Sequence, residues 1–272
     1  MKADQRTADA FAFSWNNLPP GSAYTEDQVA DWFSPIGAKE IRGARVLEMG
    51  CGNGSLMLHV LRWAPERLDG IDLGSAVVSA TNNLKASGFS NWSVRQDDLT
   101  SHESAGYDVV YSIGVLHHLE DPKLGFDSVV RNTRAGGRFH CWVYAREGNS
   151  VIIRIVDPIR RAVTRLPWWL VKYGIATPLV CPFFVYAKLL AALPRWQLLA
   201  SLPLYEYSLW IARREFAFFR HVAFDQLVTP RTVYLDRATV EGWLRGNDRI
   251  VPSSSYIIMR NGNSWKFGGQ VR

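Results

Sequence analysis

The chain has few cysteines, and its cysteines and histidines lack the spacing of metal ligands. Its 272 residues include three cysteines, Cys51, Cys141 and Cys181, which form no Cys-x-x-Cys pair. Scattered single cysteines fit a reducing compartment, and no His-x-x-x-His spacing accompanies them. We therefore predict free thiols and no metal site.

The first nine residues also lack an apolar core of signal-peptide length. We therefore expect a protein that is not secreted and that works in the cytoplasm. The sequence has no internal repeat and no low-complexity tract beyond Ser253-Ser254-Ser255. A chain of this length is expected to form one large domain, or a core domain with an inserted lobe.

Acidic residues are scarce in the segment 151–224. This segment holds ten basic side chains and three acidic ones, a net charge of +7, whereas the whole chain has a net charge of +6. The remainder is therefore about neutral. The positive charge belongs to one segment, which we interpret as an insertion.

A short apolar run, an acid and three alternating glycines occupy residues 46–54, which read VLEMGCGNG. Glycines at the end of a strand let the backbone turn into a helix whose free N–H groups meet a ligand at close range. A dinucleotide fingerprint requires Gly-x-Gly-x-x-Gly, but Ser55 stands three residues after Gly52 and the third glycine is already Gly54. The spacing therefore disfavours a bound pyrophosphate and favours another nucleotide cofactor.

Three further segments follow the glycine loop in register: LDGIDL at 68–73, RQDDL at 95–99 and YDVVYSIGVLHHL at 107–119. Together the four segments resemble the class I S-adenosylmethionine-dependent methyltransferases, in particular the small-molecule group with UbiE-like, methyltransferase type 11 motifs. The resemblance covers residues 40–145.

The resemblance implies the cofactor S-adenosylmethionine. Asp72 would hold the ribose hydroxyls, and an acid at 97–98 with the backbone after it would meet the adenine amine. The cofactor-binding residues that it implies are Glu48, Gly50, Cys51, Gly52, Asn53, Gly54, Asp72, Leu73, Asp97, Asp98, Leu99, Ser112, Ile113 and Gly114. This cofactor offers a polar tail, two vicinal hydroxyls and an adenine edge, so backbone donors and carboxylates suit it. The alternative is that each acid only caps the helix after its strand.

Alternating apolar runs and helical stretches predict an α/β fold with a Rossmann-like, doubly wound, mostly parallel seven-stranded sheet. We expect strands near 45–49, 68–72, 92–96, 108–112 and 137–144. An antiparallel C-terminal hairpin is predicted from 255–259 and 264–267, which Asn261-Gly262-Asn263 joins. Helix caps are predicted at Ser75 for a helix ending at Gly88, at Asp121-Pro122 for a helix toward Arg134, and at Asp236 for a helix ending at Gly246.

Four regions result: an N-terminal helical lid at 1–40, a cofactor-binding core at 41–149, a helical insertion at 150–224, and a C-terminal helix with strands at 225–272. Thr25 and Gln28 form a capping box for a lid helix that runs to Phe33 and ends near Pro35. Trp15, Tyr24 and Trp32 could line this lid, but for Trp32 we favour packing on the core.

The insertion combines basic, aromatic and proline residues. A basic amphipathic helix is predicted from Arg154 to Leu166, and Pro167 to Leu170 breaks it. Residues 173–194 are nearly free of charge, and about 20 apolar residues suffice to span a membrane. Pro178, Pro182 and Lys188 favour short helices that cover a pocket or lie on the inner membrane surface.

Methyl transfer from a sulfonium requires alignment, and a base only for some acceptors. The candidate bases are His117, His118, His140, Tyr144 and His221 with Asp225. Adjacent His117 and His118 point in different directions, so at most one of them faces a substrate. For His117 we favour packing within the loop.

Three functions are compared. The first is methylation of a small hydrophobic acceptor, such as a quinone-like ring, a lipid or a polyketide-type metabolite. It is based on the aromatic residues Trp168, Trp169, Phe183, Phe184, Tyr186, Trp196, Trp210, Phe216, Phe218 and Phe219. The second is nucleic-acid methylation, disfavoured because Ser112 to Val115 replace an Asp/Asn-Pro-Pro-Tyr/Phe segment. The third is a cofactor-binding or membrane-associated protein without turnover.

Overall fold

The computed structural model describes residues 5, 8, 9, 11, 24–104, 106–163, 166–194, 197–202, 204–229 and 231–272. Trp15, predicted on the lid, and Trp196, predicted among the aromatic residues of the insertion, lie outside this set.

One seven-stranded sheet organises the described residues. Its strands are β1 (Arg45–Met49), β2 (Arg67–Asp72), β3 (Trp92–Gln96), β4 (Tyr107–Ile113), β5 (Thr133–Tyr144), β6 (Tyr256–Arg260) and β7 (Ser264–Gln270). Their order is β3-β2-β1-β4-β5-β7-β6. β7 pairs antiparallel with both β5 and β6, and the other pairs are parallel. The predicted fold class and the C-terminal hairpin are confirmed.

Helices connect the strands and cover the sheet. Their bounds are α1 (Glu26–Phe33), α2 (Ala38–Ile41), α3 (Ser55–Leu61), α4 (Ala76–Lys85), α5 (Pro122–Asn132), α6 (Asp157–Val163), α7 (Trp168–Ala192), α8 (Tyr205–Ala212), α9 (Phe216–Val228) and α10 (Arg237–Arg245). Short 3₁₀ turns occupy Leu116–His118, Gln197–Ser201 and Pro252–Ser254, and a π-turn, Ile152–Val156, precedes α6. Two apolar clusters pack around the strands, one including Phe126 and Phe139 and the other Phe33 and Tyr111.

Three of the four predicted helix caps are present. Thr25 accepts a hydrogen bond from the Gln28 N–H, Asp121 from Lys123 and Leu124, and Asp236 from Thr239. The prediction that the Ser75 side chain caps a helix is wrong. Ser75 precedes α4, but it has helical dihedral angles and makes no side-chain cap. A capping residue normally has an extended backbone, because only then can its side chain accept a hydrogen bond from the N–H groups of the first turn. Ser75 does not have an extended backbone.

The main helix of the insertion is long, so the prediction of short helices is wrong. α7 runs unbroken for 25 residues, and by length and composition alone it could cross a membrane. Pro178 lies in the first turn after the π-turn Val171–Ala176, and the Thr177 hydroxyl donates to the Lys172 carbonyl over 3.0 Å. Because the π-turn ends at Ala176, Pro178 stands at the start of a regular α-helical segment, where a missing N–H is tolerated.

The predicted boundary at residue 224 falls inside a helix, because α9 continues to Val228. The insertion packs around α9: Phe224 belongs to one apolar cluster with Val171 and Ala176, and Phe219 to another with Val180 and Ile211. The lobe therefore has apolar cores of its own.

Candidate cofactor and acceptor site

A cavity of about 330 Å³ opens where β1 and β4 end. These strands lie side by side, yet their connections leave in opposite directions along the sheet. Such a reversal leaves a crevice outside the carboxyl ends of the strands, where open α/β sheets bind ligands. The site therefore has the position and size of a small-molecule site.

The glycine loop between β1 and α3 forms one wall of the cavity. Gly50, Gly52 and Gly54 have φ angles of 90°, 52° and 76°, which side chains other than glycine rarely adopt. A Cβ at Gly50 would overlap Val115, and one at Gly54 would lie 3.2 Å from the Ala80 Cβ. At Gly52 nothing lies within 4 Å of that position. Gly52 therefore keeps open a space that a ligand can enter.

Asp72, the last residue of β2, holds this loop. One of its carboxylate oxygens accepts the Gly52 N–H at 2.9 Å, and the other accepts the Gly74 N–H at 2.7 Å. Burial raises the pKa of Asp72, while these two backbone hydrogen bonds oppose the shift. The carboxylate faces the cavity and fixes the backbone that lines it.

Glu48 is the second carboxyl group in the wall. Its Oε2 accepts the Tyr111 hydroxyl at 2.7 Å, deep beneath the glycine loop. Burial raises the pKa of Glu48 to about 8, against the opposing effect of that hydrogen bond. The carboxyl group is therefore mainly protonated at pH 7, and a cationic ligand would favour its ionised form.

The structure brings ten of the fourteen predicted cofactor residues to the cavity wall: Glu48, Gly50, Cys51, Gly52, Asn53, Asp72, Leu73, Leu99, Ile113 and Gly114.

The other four, Gly54, Asp97, Asp98 and Ser112, serve the structure around the wall. Gly54 is the left-handed residue directly before α3. Asp97 pairs with the His102 Nδ1 at 2.7 Å, and Asp98 accepts both the N–H and the hydroxyl of Thr100. The Ser112 hydroxyl donates to the Met49 carbonyl at 2.8 Å and ties β4 to β1.

Another part of the lining, the aromatic wall, comes from α1 and residues before it, from β5, and from the insertion and the segment after it. Its aromatic residues are Phe11, Tyr24, Trp32, Trp142, Tyr144, Tyr207, Trp210, Phe218 and Tyr234. Trp32 packs against the core, as predicted, and in addition lines the cavity, with its ring 4.8 Å from that of Tyr24 and 6.0 Å from that of Trp142. Its position on α1 places it beside the end of β5, where the cavity begins.

The candidate bases divide into two groups. His118, Tyr144, His221 and Asp225 line the cavity, whereas His117 and His140 are buried outside its lining. His140 instead joins the Tyr256 hydroxyl and the Trp32 carbonyl, at 2.7 Å and 2.8 Å. Of the adjacent pair, only His118 faces the cavity.

The cavity-facing histidines are uncharged at neutral pH. Burial lowers the pKa of His118 to about 4 and that of His221 to about 4. His118 donates from Nδ1 to the Arg231 carbonyl at 3.0 Å, which makes Nε2 the nitrogen with a free lone pair in the neutral ring. The Tyr144 hydroxyl accepts from Gln226 at 2.7 Å, and burial raises its pKa.

Several cavity residues escaped the sequence analysis, notably Trp142, Tyr207, Gln226 and Tyr234. For Trp142 there was a signal, since it stands two residues before Tyr144 on the same strand and so shares its face. The positions of Tyr207, Gln226 and Tyr234 depend on how the insertion packs against β5, and no local sequence pattern predicts that packing. Within the described ranges, no group of three or more His, Cys, Asp or Glu side chains could hold a metal ion.

These residues fit S-adenosylmethionine. Gly52 leaves open space beside its backbone, Asp72 and Glu48 supply carboxyl groups, and the aromatic wall provides apolar surface. The fold and the site thus define a Rossmann-like domain that binds a nucleotide-type cofactor at the switch point of its sheet.

Comparison with known proteins supplies the family. Residues 47–139 match the Methyltransferase domain family. The matched range begins in β1 and ends in β5, so it contains the glycine loop, Asp72 and the end of β4. Residues 47–139 are therefore identified as a class I S-adenosylmethionine-dependent methyltransferase domain, and S-adenosylmethionine is the cofactor of this family.

Two curated relatives each match just under half of the chain. A ubiquinone biosynthesis O-methyltransferase of Rhizobium johnstonii is 27% identical over 44% of the chain and 49% of its own length. A tRNA U34 carboxymethyltransferase of Pseudomonas aeruginosa is 28% identical over 48% of the chain and 41% of its own length. The matches thus span less than half of either relative.

A solved structure supports the fold over nearly the whole chain. Magnesium protoporphyrin IX methyltransferase of Synechocystis PCC 6803, with bound S-adenosylhomocysteine, has a TM-score of 0.53 and 13% identity. The match covers 96% of this chain and 84% of that one. At this identity the likeness concerns the fold alone.

Proposed function

We propose that the protein is a cytoplasmic S-adenosylmethionine-dependent methyltransferase whose acceptor is a small, mainly apolar molecule. One observation carries the proposal: a single cavity is lined both by Gly52 and Asp72 and by aromatic residues of β5 and the insertion. Cofactor and acceptor can therefore occupy one cavity, as a direct transfer requires.

When bound, S-adenosylmethionine supplies a methyl group on a sulfonium centre for in-line displacement. The residues of the chain position the cofactor and the acceptor and exclude water. Asp72 fixes the loop beside the cofactor space, while Trp142, Tyr207 and Phe218 offer apolar surface to the acceptor. For an acceptor with an acidic proton, neutral His118 and His221 are in a form that accepts a proton.

Methyl-labelled S-adenosylmethionine tests the proposal when incubated with the protein and either a cellular lipid extract or bulk tRNA. We expect label in the organic-soluble fraction. Label in tRNA would overturn the small-molecule acceptor and favour the activity that the name of the Pseudomonas relative describes. Binding of the cofactor without transfer to any cell fraction would favour the protein without turnover.

Phe218→Ala is expected to raise the KM for the labelled lipid-soluble acceptor about tenfold, because it removes a large apolar contact. The affinity for S-adenosylmethionine should not change. Phe216→Ala is the matched control: Phe216 lies on the same helix and is also half-buried, but it packs against the insertion's own core and not the cavity. Equal effects of the two variants on KM would contradict the assignment of the acceptor wall.

Cofactor binding at pH 7 is expected to release part of a proton from Glu48. A carboxyl group with a pKa near 8 must ionise when a cationic ligand enters beside it, so affinity should rise from pH 6 to pH 8. Calorimetry in two buffers with different ionisation enthalpies measures the release. Glu48→Gln should abolish the proton release that is due to Glu48. If the binding enthalpy of that variant depended on the buffer as much as that of the unmodified protein, the assignment to Glu48 would be refuted.

A further inference from the structure

The side of α7 that faces away from the protein is apolar along its length. Trp169 and Tyr173 are 66% and 56% exposed, and Val185 and Leu189 are 58% and 62% exposed. We call these four residues the outer face. A surface helix of a soluble protein normally presents charged or polar side chains on this side. An apolar patch of this kind indicates a site of contact with another apolar surface.

The two lysines of α7 do not supply the missing polar face. The Lys188 ammonium donates to the Ala212 carbonyl at 2.7 Å, and the Lys172 ammonium lies 5.5 Å from the centre of the Phe224 ring. Both ammonium groups are therefore in contact with the lobe, although Lys188 is exposed and the Lys172 ammonium also lies 6.0 Å from the centre of the Tyr173 ring. The side chains between them on the outer face remain apolar.

Aromatic and basic groups meet at one end of the outer face. The Arg220 guanidinium lies 5.1 Å from the centre of the Tyr173 ring, and Trp169 stands one turn before Tyr173. Tryptophan, tyrosine and basic side chains are the residues that settle at the boundary between lipid and water. The surrounding segment has a net charge of +7, whereas the remainder of the chain is about neutral.

We propose that the outer face of α7 binds the surface of an anionic phospholipid bilayer. The positive segment complements anionic headgroups, and the four apolar side chains enter the boundary of the acyl layer. A second copy of the chain is disfavoured as the occupant, because a symmetric contact would bring two strongly positive lobes together.

The helix lies on the membrane and does not cross it. Along its inner side, Val171 and Ala176 pack with Phe224, and Val180 and Ala187 pack in the cluster of Ile211 and Phe219. A helix that spanned the bilayer would lose these contacts with α8 and α9. This proposal is independent of the acceptor's identity.

Vesicle co-sedimentation of the full chain tests the proposal. We expect binding to phosphatidylcholine vesicles that contain phosphatidylglycerol, weak binding to phosphatidylcholine alone, and release at high salt. Val185→Glu should reduce the partition coefficient at least about tenfold, because it places a charge in the apolar contact. Val78→Glu is the matched control, since Val78 is 63% exposed on α4, outside the insertion.

Thermal unfolding checks that both variants fold. Equal binding of the two variants, or no binding of the unmodified protein to anionic vesicles, would overturn the proposal. So would a dimer in solution that Val185→Glu dissociates, because the second copy would then be the occupant. Resistance of the cell-expressed protein to salt and alkaline extraction would also overturn it, in favour of a spanning helix.

Discussion

Asp72→Asn is expected to weaken the binding of S-adenosylmethionine about 100-fold. The carboxylate now accepts the N–H groups of Gly52 and Gly74 with its two oxygens. An amide in its place would turn its NH₂ group toward one of these donors and leave a buried N–H without an acceptor, which costs about 1–3 kcal/mol. The negative charge beside the cofactor space is lost as well. Titration calorimetry of the folded variant measures the effect.

The matched control for Asp72→Asn is Asp69→Asn. Asp69 lies on the same strand, and its carboxylate accepts hydrogen bonds from Arg67, Ser93 and Tyr107 outside the cavity. That variant should lose stability while its affinity for the cofactor stays within a few-fold of the unmodified protein. A similar loss of affinity in both variants would mean that Asp72 acts only through the stability of β2.

Gly52→Ala is expected to weaken cofactor binding by about ten- to 100-fold while the protein still folds. No atom lies within 4 Å of the position of the added methyl group, so the substitution causes no clash within the chain. The methyl group instead occupies the space beside the backbone that the cofactor would approach. The positive φ of 52° adds a backbone cost of about 1–3 kcal/mol to the folded state.

Gly88→Ala separates this backbone cost from the steric effect on the ligand. Gly88 has a φ of 79° and equally open surroundings, but it lies outside the cavity, beyond the end of α4. Both variants should show a similar fall in melting temperature, and only Gly52→Ala should lose affinity for the cofactor. If Gly88→Ala lost as much affinity for the cofactor as Gly52→Ala, the result would contradict the assignment of the open space at Gly52 to the ligand.

The sheet could be predicted from the sequence because its signals are local. β1 is an apolar run that ends in glycines, and Asp121-Pro122 and Asp236 combine a capping side chain with the start of an apolar period. The failure at Ser75 arises because a residue type does not determine its own dihedral angles. The failure at Pro178 has a different cause, since a π-turn places this proline at the start of a regular α-helical segment within α7.

The site was predictable in part for the same reason. Glu48 and Asp72 stand at strand ends, where a parallel sheet directs them to one crevice. Asp97 and Asp98 also follow a strand, but their carboxylates turn to His102 and Thr100, because short acidic side chains readily bond to nearby residues. The acceptor wall depends on how residues 205–234 fold back onto β5, and no local pattern specifies that contact.

A crystal structure with S-adenosylhomocysteine tests the central claim most directly. We predict that the ligand lies against Gly52 and Asp72, and that open space remains between it and the aromatic wall of Trp142, Tyr207 and Phe218. Ligand bound elsewhere, or a cavity left empty at saturating ligand, would contradict the assignment of this cavity to cofactor and acceptor.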